Sequence, residues 1–234
     1  MPPLFLKLSH LIRRWRYIRA VKQLTPIAGG TGACGQDLLV LELLGGKRDG
    51  VFVDIGANDG VSISNTLHLE REFGWSGLAI EPLPSIYEKL TQARKCHTLN
   101  ACLSDKAGLA LFTEVVGGVN MYSGLSGKMD RRHRRRIDRS IHRSGRGSVR
   151  EIQVECVRWA DALARFSIRK VDFLSLDTEG GELDILRTIN FDATPVRVIS
   201  VENNYYTHDY AQLLEPKGFR RVGAFRVDEI YVRG

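Results

Sequence analysis

Cysteine is scarce: Cys34, Cys96, Cys102 and Cys156 are the four in 234 residues, and no two stand in C-x-x-C spacing. That argues against a disulfide framework and the common zinc patterns, and makes a reduced, cytoplasmic setting the simpler expectation. Long apolar runs are missing too. No uncharged stretch reaches the roughly 20 residues of a transmembrane helix. Arginines break the N-terminal apolar segment where a secretory signal needs an unbroken core. The strand-to-helix turn at 54–60 does not have the G-x-G-x-x-G spacing of dinucleotide-binding folds. The most basic stretch, residues 126–150, contains no Phe, Tyr or Trp on which a nucleic-acid base could stack.

The remainder suits one globular domain, with 43% hydrophobic and 26% charged residues. The net charge of +7 is uneven. Residues 128–150 hold ten Lys and Arg against two Asp, and residues 1–24 hold six Lys and Arg and no acid. The rest carries 18 basic against 25 acidic residues. The chain therefore divides into a basic N-terminal segment (1–24) and an acidic body (25–234) that carries an Arg-rich insertion at 126–150.

In the first segment, Leu4, Leu8, Leu11, Trp15 and Ile18 follow the 4-3-4-3 spacing of one apolar helix face. The expectation is a helix that packs on the body or on a second subunit, with contact to an anionic membrane surface as the alternative. The Arg-rich segment reads as a loop or short helix between strands, either a solvated insertion or a clamp for an anionic acceptor.

The sharpest local signal is VFVDIGANDG at 51–60. Four strand-forming residues enter a turn where Gly56 and Gly60 permit close approach to the backbone. SISNTLHLEREFG then reads as helical, with Gly74 as its stop. A strand, a glycine turn and a helix start place N–H groups at the carboxyl edge of a sheet, where nucleotide-like ligands bind in α/β folds. The carboxylates Asp54 and Asp59 suit a cationic ligand better than a pyrophosphate.

Further on, GLAIE ends a second strand in Glu81, 21 residues beyond Gly60, the distance at which an acid can accept from ribose hydroxyls. Pro82 follows. A third strand is expected over 97–103, with Asn100, Ala101 and Cys102 near an adenine. The strand VDFLSL delivers Asp177 and Glu179, and VRVISV delivers Glu202 and Asn203. Helix capping accounts for one of these acids. It does not account for Asp54, Glu81, Asp177, Glu179 and Glu202 together. The alternation of strands and helices predicts a doubly wound, mostly parallel sheet closed by an antiparallel hairpin over 219–232.

The segments FVDIGANDGVSISNT, FGWSGLAIEPLP and VDFLSLDTEGGELDIL, with GQDLLVLELL and VISVENN, resemble the FkbM family of methyltransferases. The resemblance implies a class I Rossmann-like methyltransferase fold, S-adenosylmethionine as donor and O-methylation of a sugar, glycan or natural-product hydroxyl. It implies that Asp54, Gly56, Ala57, Asn58, Asp59 and Gly60 cradle the methionine part, that Glu81 holds the ribose, and that Gln36 and Asp37 lie in a loop over the cofactor. Asp177 and Glu179 would face the methyl group and acceptor, with Glu202, Asn203 and His208 as helpers. A metal-free site is expected, although Asp177, Glu179 and Glu202 are oxygen ligands that Mg²⁺ accepts. Two rivals are a dehydrogenase, disfavoured by Asn58 and the missing third glycine, and a degenerate binding protein acting at membranes or on a partner.

Overall fold

A computed structural model describes residues 12, 14–117, 120–207 and 209–234. Its centre is a seven-stranded sheet of β1 (Val51–Ile55), β2 (Ser76–Ile80), β3 (His97–Leu99), β8 (Val171–Leu176), β9 (Val196–Glu202), β10 (Phe219–Phe225) and β11 (Asp228–Arg233). Their order is β10-β11-β9-β8-β1-β2-β3. The five strands from β3 to β9 run parallel, and β11 is antiparallel to both β9 and β10. This is the class I methyltransferase arrangement. The chain leaves β1 towards one edge and later returns to place β8 on its other side, so the topological switch lies between β1 and β8.

The sequence explains the layers. All six residues of β8 are buried, so it is a fully covered central strand, and its side chains alternate between two cores. Phe173 joins Phe52, Val198 and Phe225 on one face, against Val40 and Leu41 of α1 (Gln36–Leu43). Leu174 and Leu176 join Val53, Ile55, Ile199 and Val201 on the other, against Ile185 and Leu186 of α6 (Glu182–Thr188). The remaining helices are α2 (Leu67–Phe73), α3 (Pro84–Ala93), α4 (Arg131–Ser144), α5 (Trp159–Arg165) and α7 (Asp209–Leu214). No helix among the described residues is long and apolar enough to cross a membrane.

Three expectations change. The third strand is divided: β3 belongs to the large sheet, whereas β4 (Cys102–Leu103) joins a second sheet of order β4-β7-β5-β6, with β5 Gly108–Val116, β6 Gly124–Leu125 and β7 Ser148–Val157. The Asn100 amide forces this break by donating to the carbonyls of Glu81 and Pro82 across the neighbouring strand end. Helix α2 begins at Leu67, not near Ser62, because the preceding segment is tied down as a loop by Thr31, which donates to the Ser64 carbonyl. The Arg-rich segment is a 14-residue helix, α4, N-capped by Asp130, whose side chain accepts from Arg132 N and His133 N. It buries His133 and Ile137, so it is not a solvated insertion.

The N-terminal segment is helical over 14–20 and packs on the body through Tyr17 and Val21, which meet Ala224. The stripe expected to face the body points the other way: Trp15 and Ile18 are exposed. Leu4, Leu8 and Leu11 lie outside the described residues.

Phe173 has no exposed surface at the middle of the sheet. Phe173→Ala should lower unfolding stability by about 3–5 kcal/mol. Urea denaturation followed by circular dichroism reads this directly, and a loss below about 1 kcal/mol would mean the core is not organised around β8.

Candidate active site

The site grows from the meeting of two strand ends. Asp177 N, just beyond β8, donates to the carbonyl of Ile55 at the end of β1 (3.0 Å). The chain then turns at Gly56 with φ 83°, and a Cβ there would lie 1.8 Å from the Asp177 carbonyl oxygen. Only glycine fits. Gly56 N and Ala57 N both donate to Ile80 O, binding the turn to β2 as well. Asn58 takes a left-handed φ of 50°, and its N–H donates to Glu81 Oε2 (3.1 Å), while Leu83 N donates to Glu81 Oε1 (2.9 Å).

A cavity of about 290 Å³ opens above this junction. One wall is apolar, with Ile55, Ile80, Leu83, Ala101, Leu103 and Phe112. The other carries Glu81, Asp177, Glu179 and Glu202, with Tyr122 and Arg136. Gly56, Asn58, Pro82 and Cys102 also line it. Eight of the sequence-derived residues besides Ala101 and Asp177 thus share one space: Gly56, Asn58, Glu81, Pro82, Cys102, Glu179 and Glu202 in the wall, and Asn100 immediately behind it through its bonds to Glu81 O and Pro82 O.

The other candidates stand elsewhere. Asp54 is buried behind the wall, accepting from Thr66 Oγ1 (2.6 Å). Burial pushes its pKa up. Ala57 packs against Ala79 and Leu90. Asp59 accepts from Val61 N, Ser62 N and Ser62 Oγ and so shapes the turn. Gly60 is packed against Leu90 and Arg94, with φ 75°. Gln36 and Asp37 are buried at the start of α1, where Gln36 donates to Asp228 Oδ2 (2.8 Å) and Asp37 accepts from Thr31 N (2.6 Å). Asn203 is corrected from helper to brace. Its side chain is buried away from the cavity, donating to Thr207 O and Glu229 Oε1. His208 lies outside the described residues.

Three contributors, Arg94, His133 and Arg136, were not singled out from the sequence. Buried Arg94 ion-pairs with Glu70 (3.1 Å) and donates to Gly60 O, Ser64 Oγ and Thr66 Oγ1, so it knits the glycine turn to α2 and, through Thr66, to Asp54. From the Arg-rich helix come His133 and Arg136. His133 Nδ1 lies 3.3 Å and Arg136 Nη1 3.5 Å from Glu179 Oε2. The other His133 nitrogen, Nε2, is 2.8 Å from the Tyr122 carbonyl, which makes Nε2 the protonated donor. Arg136 stacks over Tyr122 at 4.1 Å. A run of arginines carries no sequence signal for this.

The crowd of acids sets the electrostatics. Burial, with the charges of Glu182 and Asp228, pushes Asp177 up to about 7, although its side chain is accessible from the cavity. Burial and Asp177 push Glu179 up to about 8 against the pull of Arg136. Burial also raises Glu81 to about 7, and burial with Asp177 raises Glu202. Burial lowers His133. Glu182 fixes the turn after β8 by accepting from Thr178 N (2.8 Å), Thr178 Oγ1 and Gly180 N. Asp177, Glu182 and Glu202 each bring a carboxylate oxygen within 4.8 Å of the others, a donor set suited to a divalent cation, with Glu182 where the sequence pointed to Glu179.

The donor set also fits S-adenosylmethionine. Its adenine needs an apolar slot, its ribose hydroxyls need an acceptor such as Glu81, and its sulfonium and ammonium favour carboxylates where a phosphate would be repelled. Gly56, where a Cβ would strike the Asp177 carbonyl, lets the ends of β1 and β8 close together under the cavity.

A sequence model described as the methyltransferase FkbM domain matches residues 54–221. Methyltransferase 1 of Beauveria bassiana (strain ARSEF 2860) is 24% identical over 193 residues, covering 73% of this chain and 72% of that protein. The N-terminal domain of human METTL16 in complex with SAH is a solved structure that aligns over 97% of this chain and 79% of its own, at 14% identity and a TM-score of 0.45. A methyltransferase FkbM from Methylobacillus flagellatus KT aligns over 96% of this chain and 59% of its own, at 12% identity and a TM-score of 0.42.

Arg94→Met removes the ion pair of half-buried Glu70 and the three hydrogen bonds to Gly60, Ser64 and Thr66. It should cost about 3–5 kcal/mol of stability and weaken S-adenosylhomocysteine binding at least tenfold, as read by thermal melts and calorimetry. Unchanged binding would detach the glycine turn from cofactor capture.

Proposed function

The chain belongs to the FkbM methyltransferase family, and from that premise we propose that it is an S-adenosylmethionine-dependent O-methyltransferase in which Glu179 draws the proton from an acceptor hydroxyl. The observation that carries this reading is the setting of Glu179: a carboxylate in the cavity wall, held between His133 and Arg136, whose burial raises its proton affinity to the neutral range.

When bound, the cofactor supplies an electrophilic methyl group on a sulfonium. The protein's work is to align the acceptor oxygen, exclude water and take up a proton. In this reading Asp177 and Glu202 orient the hydroxyl from the ends of β8 and β9, and Gly56, Asn58 and Glu81 hold the cofactor. Arg136 keeps part of the Glu179 population ionised and offers positive charge to an acceptor bearing an acidic group. The acceptor is then a hydroxyl on a sugar, glycan or natural product, anionic by preference. The carboxylate trio of Asp177, Glu182 and Glu202 leaves a role for a divalent ion, which comparing turnover with and without EDTA decides.

Titration with S-adenosylhomocysteine tests the cofactor assignment first; a folded protein that does not bind it would sink the reading. Release of S-adenosylhomocysteine across a panel of neutral and phosphorylated sugars then tests the acceptor class, and transfer to amines alone would reject O-methylation. Glu179→Gln should lower kcat by about 10²–10⁴-fold while cofactor affinity stays within about threefold. The base must be ionised, and its pKa is raised to about 8. Turnover should therefore climb with pH through the 7–8 range and fall on acidification, a limb absent in Glu179→Gln.

A further inference from the structure

The two basic segments, more than a hundred residues apart in sequence, border one loop. Tyr17 of the N-terminal helix meets Tyr206, with ring centroids 5.2 Å apart. Arg132 of α4 stacks over Tyr205 at 4.3 Å. Between the cavity and these tyrosines, Asn204 donates to Glu179 (3.2 Å) and to Glu202. Both positively charged helices therefore flank the same rim of the active-site cavity.

The helix over 14–20 has two unlike faces. Tyr17 and Val21 are buried on the body, whereas Ile12, Trp15 and Ile18 are 49%, 59% and 43% exposed. Arg14, Arg16 and Arg19 surround that stripe and are exposed, and Arg19 stacks on Trp15 at 4.4 Å. Met121, in the cavity wall, is also 47% exposed. Tryptophan and branched aliphatics beside arginines, with no acid in residues 1–24, match the boundary between lipid headgroups and acyl chains.

We propose that this face docks on an anionic membrane, the Ile12–Trp15–Ile18 stripe entering the headgroup boundary while the arginines of both helices contact acidic headgroups. A polyanion such as nucleic acid would use the charge but leave the apolar stripe in water, and α4 offers it no aromatic ring. Docking goes beyond the catalytic reading and stands whatever the acceptor is.

The test uses the full chain and vesicles of equimolar phosphatidylcholine and phosphatidylglycerol, with phosphatidylcholine alone as control. Trp75 and Trp159 are buried, so quenching of tryptophan emission by lipids brominated on their acyl chains reports Trp15. The expected result is sedimentation with the anionic vesicles only, reversal by about 0.5 M salt, and quenching by the brominated lipid. Trp15→Ser, at an exposed position, should weaken binding at least fivefold, and Arg14→Gln with Arg19→Gln at least tenfold. Failure to sediment would overturn the proposal. So would sedimentation without quenching that Trp15→Ser leaves unchanged; equal binding to a DNA duplex would then mark the surface as a general polyanion binder.

Discussion

The closeness of β1 and β8 at their carboxyl ends is the constraint from which the rest follows. With the Asp177 amide bonded to Ile55 O and its carbonyl pressed against Gly56, the two acidic motifs meet at a point set by backbone alone. Parallel pairing of β1 with β2 and β8, and of β8 with β9, then brings Glu81, Asp177 and Glu202 to one edge. Side chains decide the chemistry there, but main-chain geometry decides that they meet.

Gathering carboxylates in this way is costly unless donors surround them. The protein meets the need locally in three ways. Backbone N–H groups of Asn58 and Leu83 serve Glu81, the 178–180 turn serves Glu182, and α4 brings Arg136 to Glu179. Charge that remains uncompensated appears as raised proton affinity, which is useful to a group that must accept a proton near neutrality.

Much of this was legible in the sequence because it is local. A buried strand running into a glycine turn, and acids at strand ends, are short-range patterns, and they located the large sheet and nine residues of the cavity wall. What escaped depends on distant partners. The two-residue β4 exists only through its pairing with β7. Ser62–Thr66 has helical composition but is claimed as loop by Thr31 and Arg94. Asn203 sits beside a catalytic candidate yet turns inward, because strand neighbours face opposite sides. His133 and Arg136 lay in a segment that read equally as solvated insertion or anion clamp, because nothing within α4 reveals the carboxylate opposite.

Asn203 also has a mechanical meaning. Its amide grips Glu229, whose carboxylate faces the Tyr17 hydroxyl, and its two chain neighbours reach the cavity rim as Glu202 and Asn204. A single short span of groups thus joins the N-terminal helix to the carboxylates of the cavity. Tyr17, Glu229 and Asn203 form one short chain of contacts between the N-terminal helix and the end of β9.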